Sequence, residues 1–157
     1  MIEAFTAAGV PLHVFNDSAI REWMGQNIKS GSSLPSVSKL RTLLVASGRE
    51  DKQDSILYLK EKQIVIMADE SIDIKNRKIL NILAKSLEPT GKFRLISAKI
   101  IEKCDAIEVA TQIDSALKEH FVAKKNVRCF VSDNTPYMIL AGQKLMGLCE
   151  NMMHTTC

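Results

Sequence analysis

The sequence predicts an α/β protein in two parts: a helical lead-in over residues 1–62, then strands and helices over 63–157 in the order β-β-β-α-β-α-β. Three observations carry this. Apolar residues recur at helical spacing as far as about residue 62. From Gln63 onward the texture changes to short apolar runs, many of them β-branched, bounded by turn residues. Two of these runs, 64–68 and 127–131, each close on acidic residues.

Within the lead-in, Ile20, Trp23, Met24 and Ile28 follow a capping candidate at Asp17 or Ser18, and Gly31 closes the segment. Trp23 is expected to anchor the core of this helical layer. Pro35 and Ser36 open a second helix with Val37, Leu40, Leu43 and Leu44 inward and Lys39 and Arg41 outward, ending near Gly48. A third, roughly 51–62, carries Ile56, Leu57 and Leu59.

The run 64–68 has the character of a strand covered on both faces. It passes into Asp69, Glu70 and Asp73, of which Asp69 and Asp73 fall on one face at strand period and Glu70 on the other. Strands over 77–87 and 93–101 flank a turn at Glu88-Pro89-Thr90-Gly91. A helix over 105–124 presents Ile107, Val109, Ala110, Ile113, Ala116, Leu117 and Phe121, with Asp105 at its N-terminus, where negative charge suits the helix dipole. The strand 127–131 ends at Ser132-Asp133-Asn134. Thr135 as N-cap and Pro136 at the first helical position start a helix through Met138, Ala141, Leu145 and Leu148. Residues 151–157 begin a fifth strand.

Composition narrows the function classes. With 157 residues, 46% hydrophobic and 25% charged, the chain is neither disordered, collagenous nor a coiled coil. A chain of this length buries about 70% of its unfolded surface and needs no staple. A net charge of +3 is too small to mark nucleic-acid binding by charge alone. Locally, Lys plus Arg minus Asp plus Glu is 7 − 6 = +1 for residues 1–60 and 14 − 12 = +2 for the rest. The four cysteines form no Cys-x-x-Cys pair, which fits reduced thiols in a cytosolic or nuclear protein. No signal peptide or apolar stretch near 18 residues is visible, so neither secretion nor a membrane span is expected.

Acids at the ends of the first and fourth strands converge if those strands are neighbours. Asp69 and Asp133, separated by 133 − 69 = 64 residues, would then offer paired carboxylates to Mg²⁺ or Mn²⁺, hard cations that prefer oxygen ligands. A plainer reading stands beside this one. An Asp between strand and helix is often a turn or capping residue; spacing favours that for Asp133 and leaves Asp69 evenly divided.

At these residues the sequence resembles the hAT superfamily of DNA transposases, whose catalytic domain has an RNase H-like fold. Met67-Ala68-Asp69-Glu70-Ser71-Ile72-Asp73 resembles the family's D-E-S/T-T-D segment, with Ile72 where Thr is usual. The run from Val131-Ser132-Asp133-Asn134 through Thr135-Pro136-Tyr137-Met138 to Ala141-Gly142 resembles its S/T-D-N/A-A-P-Y-M-x-x-A-G segment. Ala4-Phe5-Thr6-Ala7-Ala8-Gly9-Val10-Pro11-Leu12, Ile20-Arg21-Glu22-Trp23, Gly31-Ser32-Ser33-Leu34-Pro35 and Leu40-Arg41 are similar to the helical region before that core. They are similar too to the transposon-derived group of CGG triplet repeat-binding proteins. Relatives in both groups carry an upstream BED-type zinc finger, which has no counterpart in this sequence.

The resemblance implies that 63–157 is the N-terminal portion of an RNase H-like mixed sheet. It makes Asp69 and Asp133 the first two members of an Asp, Asp, Glu triad that holds two divalent ions for attack on a phosphodiester. The third acid is expected on a helix further downstream. Glu150, closing the helix after the fourth strand, is expected to be a solvated surface charge. His154-Thr155-Thr156-Cys157 resembles H-V-T-C, and these residues are expected to belong to the fifth strand rather than to a zinc site. The chain is then expected to be a truncated, transposon-derived protein, non-catalytic as it stands, holding Mg²⁺ or Mn²⁺ weakly or not at all. A nuclear role in contact with DNA or chromatin is implied, with homo-oligomerisation possible because a sheet stopping at its fifth strand leaves apolar surface uncovered. The alternatives are part of an active Mg²⁺-dependent transposase, and a dimerisation or protein-interaction module. Lys124, Lys125 and Arg128 are the one compact basic group near the expected site. They are candidates for phosphate contact, with simple solvation as the commoner role of such groups.

Overall fold

A computed structural model describes residues 5, 8–28 and 35–156, apart from the side chain of residue 47. The chain divides into two compact units, one through residue 51 and one from residue 52.

In the first unit a 3-10 turn at Leu12–Asn16 leads into α1 (Ser18–Asn27). The Asp17 carboxylate caps α1 by accepting from Ala19 N (2.9 Å) and Ile20 N (3.2 Å), satisfying two of the free amides of the first turn. Phe15, Met24, Val37 and Leu40 are buried together, with Phe5, Leu12, Ile20 and Ile28 packed against them. Phe5 meets Phe15 edge to face at 5.1 Å. Trp23 is not the anchor that its spacing suggests, for it is 61% exposed. The inward arc of α1 follows Ile20, Met24 and Ile28, and Trp23 lies one residue, about 100° around the helix, from Met24. Gly31, the expected close of this segment, lies outside the described residues.

The two helices expected next are one, α2 (Val37–Leu59). Ser36 Oγ accepts from Lys39 N at 3.3 Å, as a helix-capping hydroxyl does. Gly48 does not end the helix: an interior glycine costs only about 1 kcal/mol relative to alanine, and neighbouring turns carry the segment through it. Of the residues expected inward, Val37 and Leu40 are buried, Leu44 is half-buried and Leu43 is exposed; further along, Leu59 is buried and Leu57 exposed. Nothing lies within 4 Å of where a Gly48 side chain would begin. Gly48→Ala should therefore raise stability by about 0.4–1 kcal/mol in chemical denaturation; a loss would mean that the helix breaks there.

In the second unit the strands β1 (Ile64–Ile72), β2 (Lys78–Ser86) and β3 (Arg94–Ile101) precede α3 (Ala106–Glu119). Then follow β4 (Val127–Ser132), α4 (Pro136–Met146) and β5 (Met153–Thr156). They form one mixed sheet in the order β3-β2-β1-β4-β5. β1, β2 and β3 are antiparallel neighbours, and β4 runs parallel to both β1 and β5. The expected order β-β-β-α-β-α-β is thus observed. It is the mixed α/β arrangement of an RNase H-like core.

Alternation sets the faces. Ile64, Ile66 and Ala68 are buried and pair with Ser86, Ala84 and Ile82, also buried. Val109, Ile113, Ala116 and Leu117 of α3 and Met138, Ala141 and Leu145 of α4 complete this core. On the opposite face Val65 and Met67 are only half-buried, so β1 is covered fully on one face rather than on both. Asp105 caps α3, accepting from Ile107 N (3.0 Å) and Glu108 N (2.8 Å). α3 ends at Glu119, short of the expected residue 124, because Phe121 takes a left-handed backbone (φ 54) and leaves the apolar face, 77% exposed. Ile107 is exposed as well.

Candidate functional site

Register carries Asp69 and Asp133 toward the same end of adjacent strands. β1 and β4 pair in parallel as Ile66 with Phe130 and Met67 with Val131, an offset of 130 − 66 = 64 residues. The same offset separates Asp69 from Asp133. The pairing itself ends at Met67 and Val131; continued two residues further, the same register would set Asp69, still in β1, level with Asp133, the first residue past β4, at the end where an open α/β sheet places its sites. A bulge at the start of the pairing, between Ile64 and Val65, fixes this offset. Asp69 is exposed and belongs to the half-open face with Val65 and Met67.

Asp133, half-buried, is bound locally as well. Its Oδ1 accepts from Thr135 Oγ1 (2.8 Å) and Thr135 N (3.3 Å), a turn that delivers the chain into α4. Thr135 occupies the N-cap position and Pro136 follows, yet the Thr135 hydroxyl makes no cap bond within α4 because it is turned back to Asp133. The turn role expected of Asp133 is thus present, and it engages only Oδ1. One oxygen organises the loop, and a hard cation would be met by carboxylate oxygens of Asp69 and Asp133, the donor chemistry that Mg²⁺ and Mn²⁺ take. Among the described residues no three His, Cys, Asp or Glu side chains gather into a metal-binding group.

Asp73 does not join Asp69. β1 ends at Ile72, and the Asp73 carboxylate closes the β1–β2 turn by accepting from Lys75 N (2.9 Å), Arg77 N (2.9 Å) and Arg77 Nε (2.7 Å). Those bonds, Arg77 first, hold its carboxyl below the usual carboxylate range. Glu150 is exposed in the turn after α4, as expected.

The basic group lies elsewhere. Lys124 and Lys125 precede β4 and Arg128 is its second residue, whereas Asp133 follows its last. The length of β4, about 17–20 Å at strand rise, separates them from the carboxylates. Lys124 is already paired with Asp114 at 2.9 Å. Closeness in sequence misleads here because a strand carries its two ends apart.

One feature of the site has no local sequence signal. The Tyr137 hydroxyl donates to Glu70 Oε1 at 3.2 Å, tying β1 beside Asp69 to the first turn of α4 beyond Asp133. Burial pushes the Tyr137 phenol up, and the charges of Glu70 and Asp133 add to this, so it remains a donor. Lys78 Nζ lies 3.0 Å from Cys104 Sγ nearby, and burial, with Glu70 beside it, keeps that thiol protonated. At β5, His154 Nε2 is 2.9 Å from Ser132 Oγ, and the imidazole stacks on Phe130 with ring centres 5.0 Å apart. His154 is therefore a structural residue of the fifth strand. Cys157 lies outside the described residues; Cys104, Cys129 and Cys149 are free thiols. Among the described residues no helix is long and apolar enough to cross a membrane.

Five mixed strands in the order β3-β2-β1-β4-β5 with two helices over one face make an α/β domain in the arrangement of an RNase H-like core. Residues 35–157 match the family described as "Domain of unknown function (DUF659)", and the chain belongs to the DUF659 family. No curated protein matches the sequence. Among solved structures, the magnesium-bound catalytic core domain of HTLV-2 integrase is similar in its trimeric form at 15% identity and a TM-score of 0.42, over 61% of this chain and 60% of that one. Its dimeric form gives 15% and 0.41, over 60% of each chain. The simian T-cell lymphotropic virus intasome in complex with PP2A regulatory subunit B56 gamma gives 16% and 0.41, over 59% of this chain and 33% of that one. This chain thus spans less than two thirds of the length of each.

Proposed function

We propose that the chain is a transposon-derived domain of the hAT type, transposase-like in architecture but non-catalytic by itself, with a DNA- or chromatin-associated role in the nucleus. The observation that carries it is the parallel pairing of β1 with β4 at an offset of 64 residues from Val65 onward, the offset that separates Asp69, near the end of β1, from Asp133, just past the end of β4. Two carboxylates suffice for weak capture of a hard cation. Aligning two ions and an attacking oxygen with the phosphodiester demands more ligands than this pair supplies. The motif resemblance at 67–73 and 131–142 supports the hAT assignment, and the nuclear role rests on that assignment by analogy.

The test is direct. Titrated with Mn²⁺, the purified chain should bind with a dissociation constant of about 0.1–1 mM, lost in Asp69→Ala and in Asp133→Ala. Incubated with Mg²⁺ and a terminal-inverted-repeat substrate, it should neither cleave nor join strands. Robust Mg²⁺-dependent joining abolished by either substitution would replace this reading with that of an active transposase domain.

A further inference from the structure

The end of the sheet remote from the carboxylates carries a second constellation. Tyr58, in the last turn of α2, has Lys62 Nζ 5.1 Å and Arg94 Cζ 4.5 Å from its ring centre. Phe93, 43% exposed, has Lys85 Nζ at 5.8 Å. The cluster is built on a fixed frame. Tyr58 Oη accepts from Lys92 N (2.9 Å) and lies 3.0 Å from Ser86 Oγ. The intervening turn is closed so tightly that a side chain at Gly91 would strike the Ser86 carbonyl.

Charge gathers here. Residues 58–62 and 85–94 contain Lys60, Lys62, Lys85, Lys92 and Arg94 against Glu61 and Glu88, or 5 − 2 = +3, which equals the net charge of the entire chain. Glu88 is paired with Lys62 at 2.8 Å, and Lys60 is offset in charge by its neighbour Glu61, so the excess is Lys85 and Arg94, each over an aromatic ring, and Lys92 beside Phe93. Cations interleaved with aromatic faces suit a polyanion whose bases also stack, and such contacts make binding depend on salt. Position fits as well. Lys85 pairs with Val65 across β1 and β2, so it shares the half-open face of Asp69, four residues further along β1. That is roughly 14 Å at strand rise, about four nucleotide steps along one DNA strand.

The geometry points to a nucleic-acid-binding surface on the half-open face at the β2–β3 loop, formed by Lys85, Lys92 and Phe93 and braced from the helix-covered face by Arg94 and Tyr58, that grips the backbone and stacks bases of a DNA strand leading toward Asp69. It rests on the DNA-associated reading above and gives that reading a surface other than Lys124, Lys125 and Arg128.

Fluorescence anisotropy of the full chain with a labelled 20-nucleotide single strand and its duplex tests it, across a salt series. Lys85→Ala/Lys92→Ala should weaken both about tenfold and lower the duplex salt slope by about 1.8, the share of two phosphate contacts. Phe93→Ala should weaken the single strand about tenfold and the duplex less. The control pair Lys75→Ala/Lys103→Ala, with the same charge change at the other end of the sheet, should leave both affinities unchanged, and circular dichroism should show all variants folded. Equal losses in the patch and control pairs, or losses confined to a Lys125→Ala/Arg128→Ala pair, would overturn the surface while preserving DNA association. Absence of DNA binding by the wild-type chain, including the case where it binds only anionic phosphatidylserine vesicles, would overturn both.

Discussion

Phe130→Ala should cost about 3–5 kcal/mol of unfolding free energy, the range for deleting a fully buried aromatic ring. Phe130 has no exposed surface and occupies the middle of β4, paired to Ile66 on one side and to His154 on the other. Truncation leaves a cavity beneath α4 and removes the ring on which the His154 imidazole stacks. β5 is only four residues long, so loss of that stacking should free it before the rest of the sheet. Chemical denaturation measures the total, and hydrogen exchange at 153–156 measures the local part. Domains of this kind hold about 5–15 kcal/mol in all, so the variant should be partly unfolded at physiological temperature. A loss under about 1 kcal/mol would mean that β4 is not the centre of a packed core.

The sheet is legible in the sequence because its signals are redundant. β-branched runs, period-two burial and turn residues all place β1, β2, β3 and β4 within a few residues of where they lie. Helical faces are harder. An amphipathic arc does not say which of two adjacent apolar residues turns inward, and Met24 rather than Trp23 does so. Gly48 shows the weakness of a lone glycine as a stop signal, since its cost is smaller than the gain of continuing a 23-residue helix. At the candidate site, the 64-residue offset between Asp69 and Asp133 is legible in the sequence and recurs as the β1–β4 strand register. The Glu70–Tyr137 tie joins residues 67 positions apart and needs both that register and the first turn of α4, neither of which is written locally. Asp73 departs from the face of Asp69 because strand period holds only as far as the strand does. Past Ile72 the chain turns, and the carboxylate meets backbone amides and Arg77 instead.

Gly142→Ala should lower stability by about 1–3 kcal/mol, although it adds only one methyl to a helix in which alanine is otherwise favoured. A β-carbon at Gly142 would overlap Nδ1, Cγ and Cε1 of the His154 ring, so α4 and β5 approach closely only because residue 142 has no side chain. Relief requires His154 to leave Phe130 and Ser132, which links this substitution to a pH effect. Burial lowers the imidazole pKa below its ordinary value of 6.5, so the folded protein takes up a proton less readily than the unfolded chain. The stability contributed by neutral His154 is therefore complete above about pH 6.5 and declines as pH falls below it toward the depressed folded-state value. Above about pH 5 the ordinary carboxylates stay largely ionised in both states, and His13 and His120 are common to both proteins, so the difference between wild type and Gly142→Ala isolates the His154 contribution between about pH 7.5 and 5.5. Urea midpoints over this interval should fall for the wild-type chain and fall less for Gly142→Ala, in which His154 has already been displaced. Parallel declines in both proteins would show that His154 does not depend on the gap that Gly142 leaves.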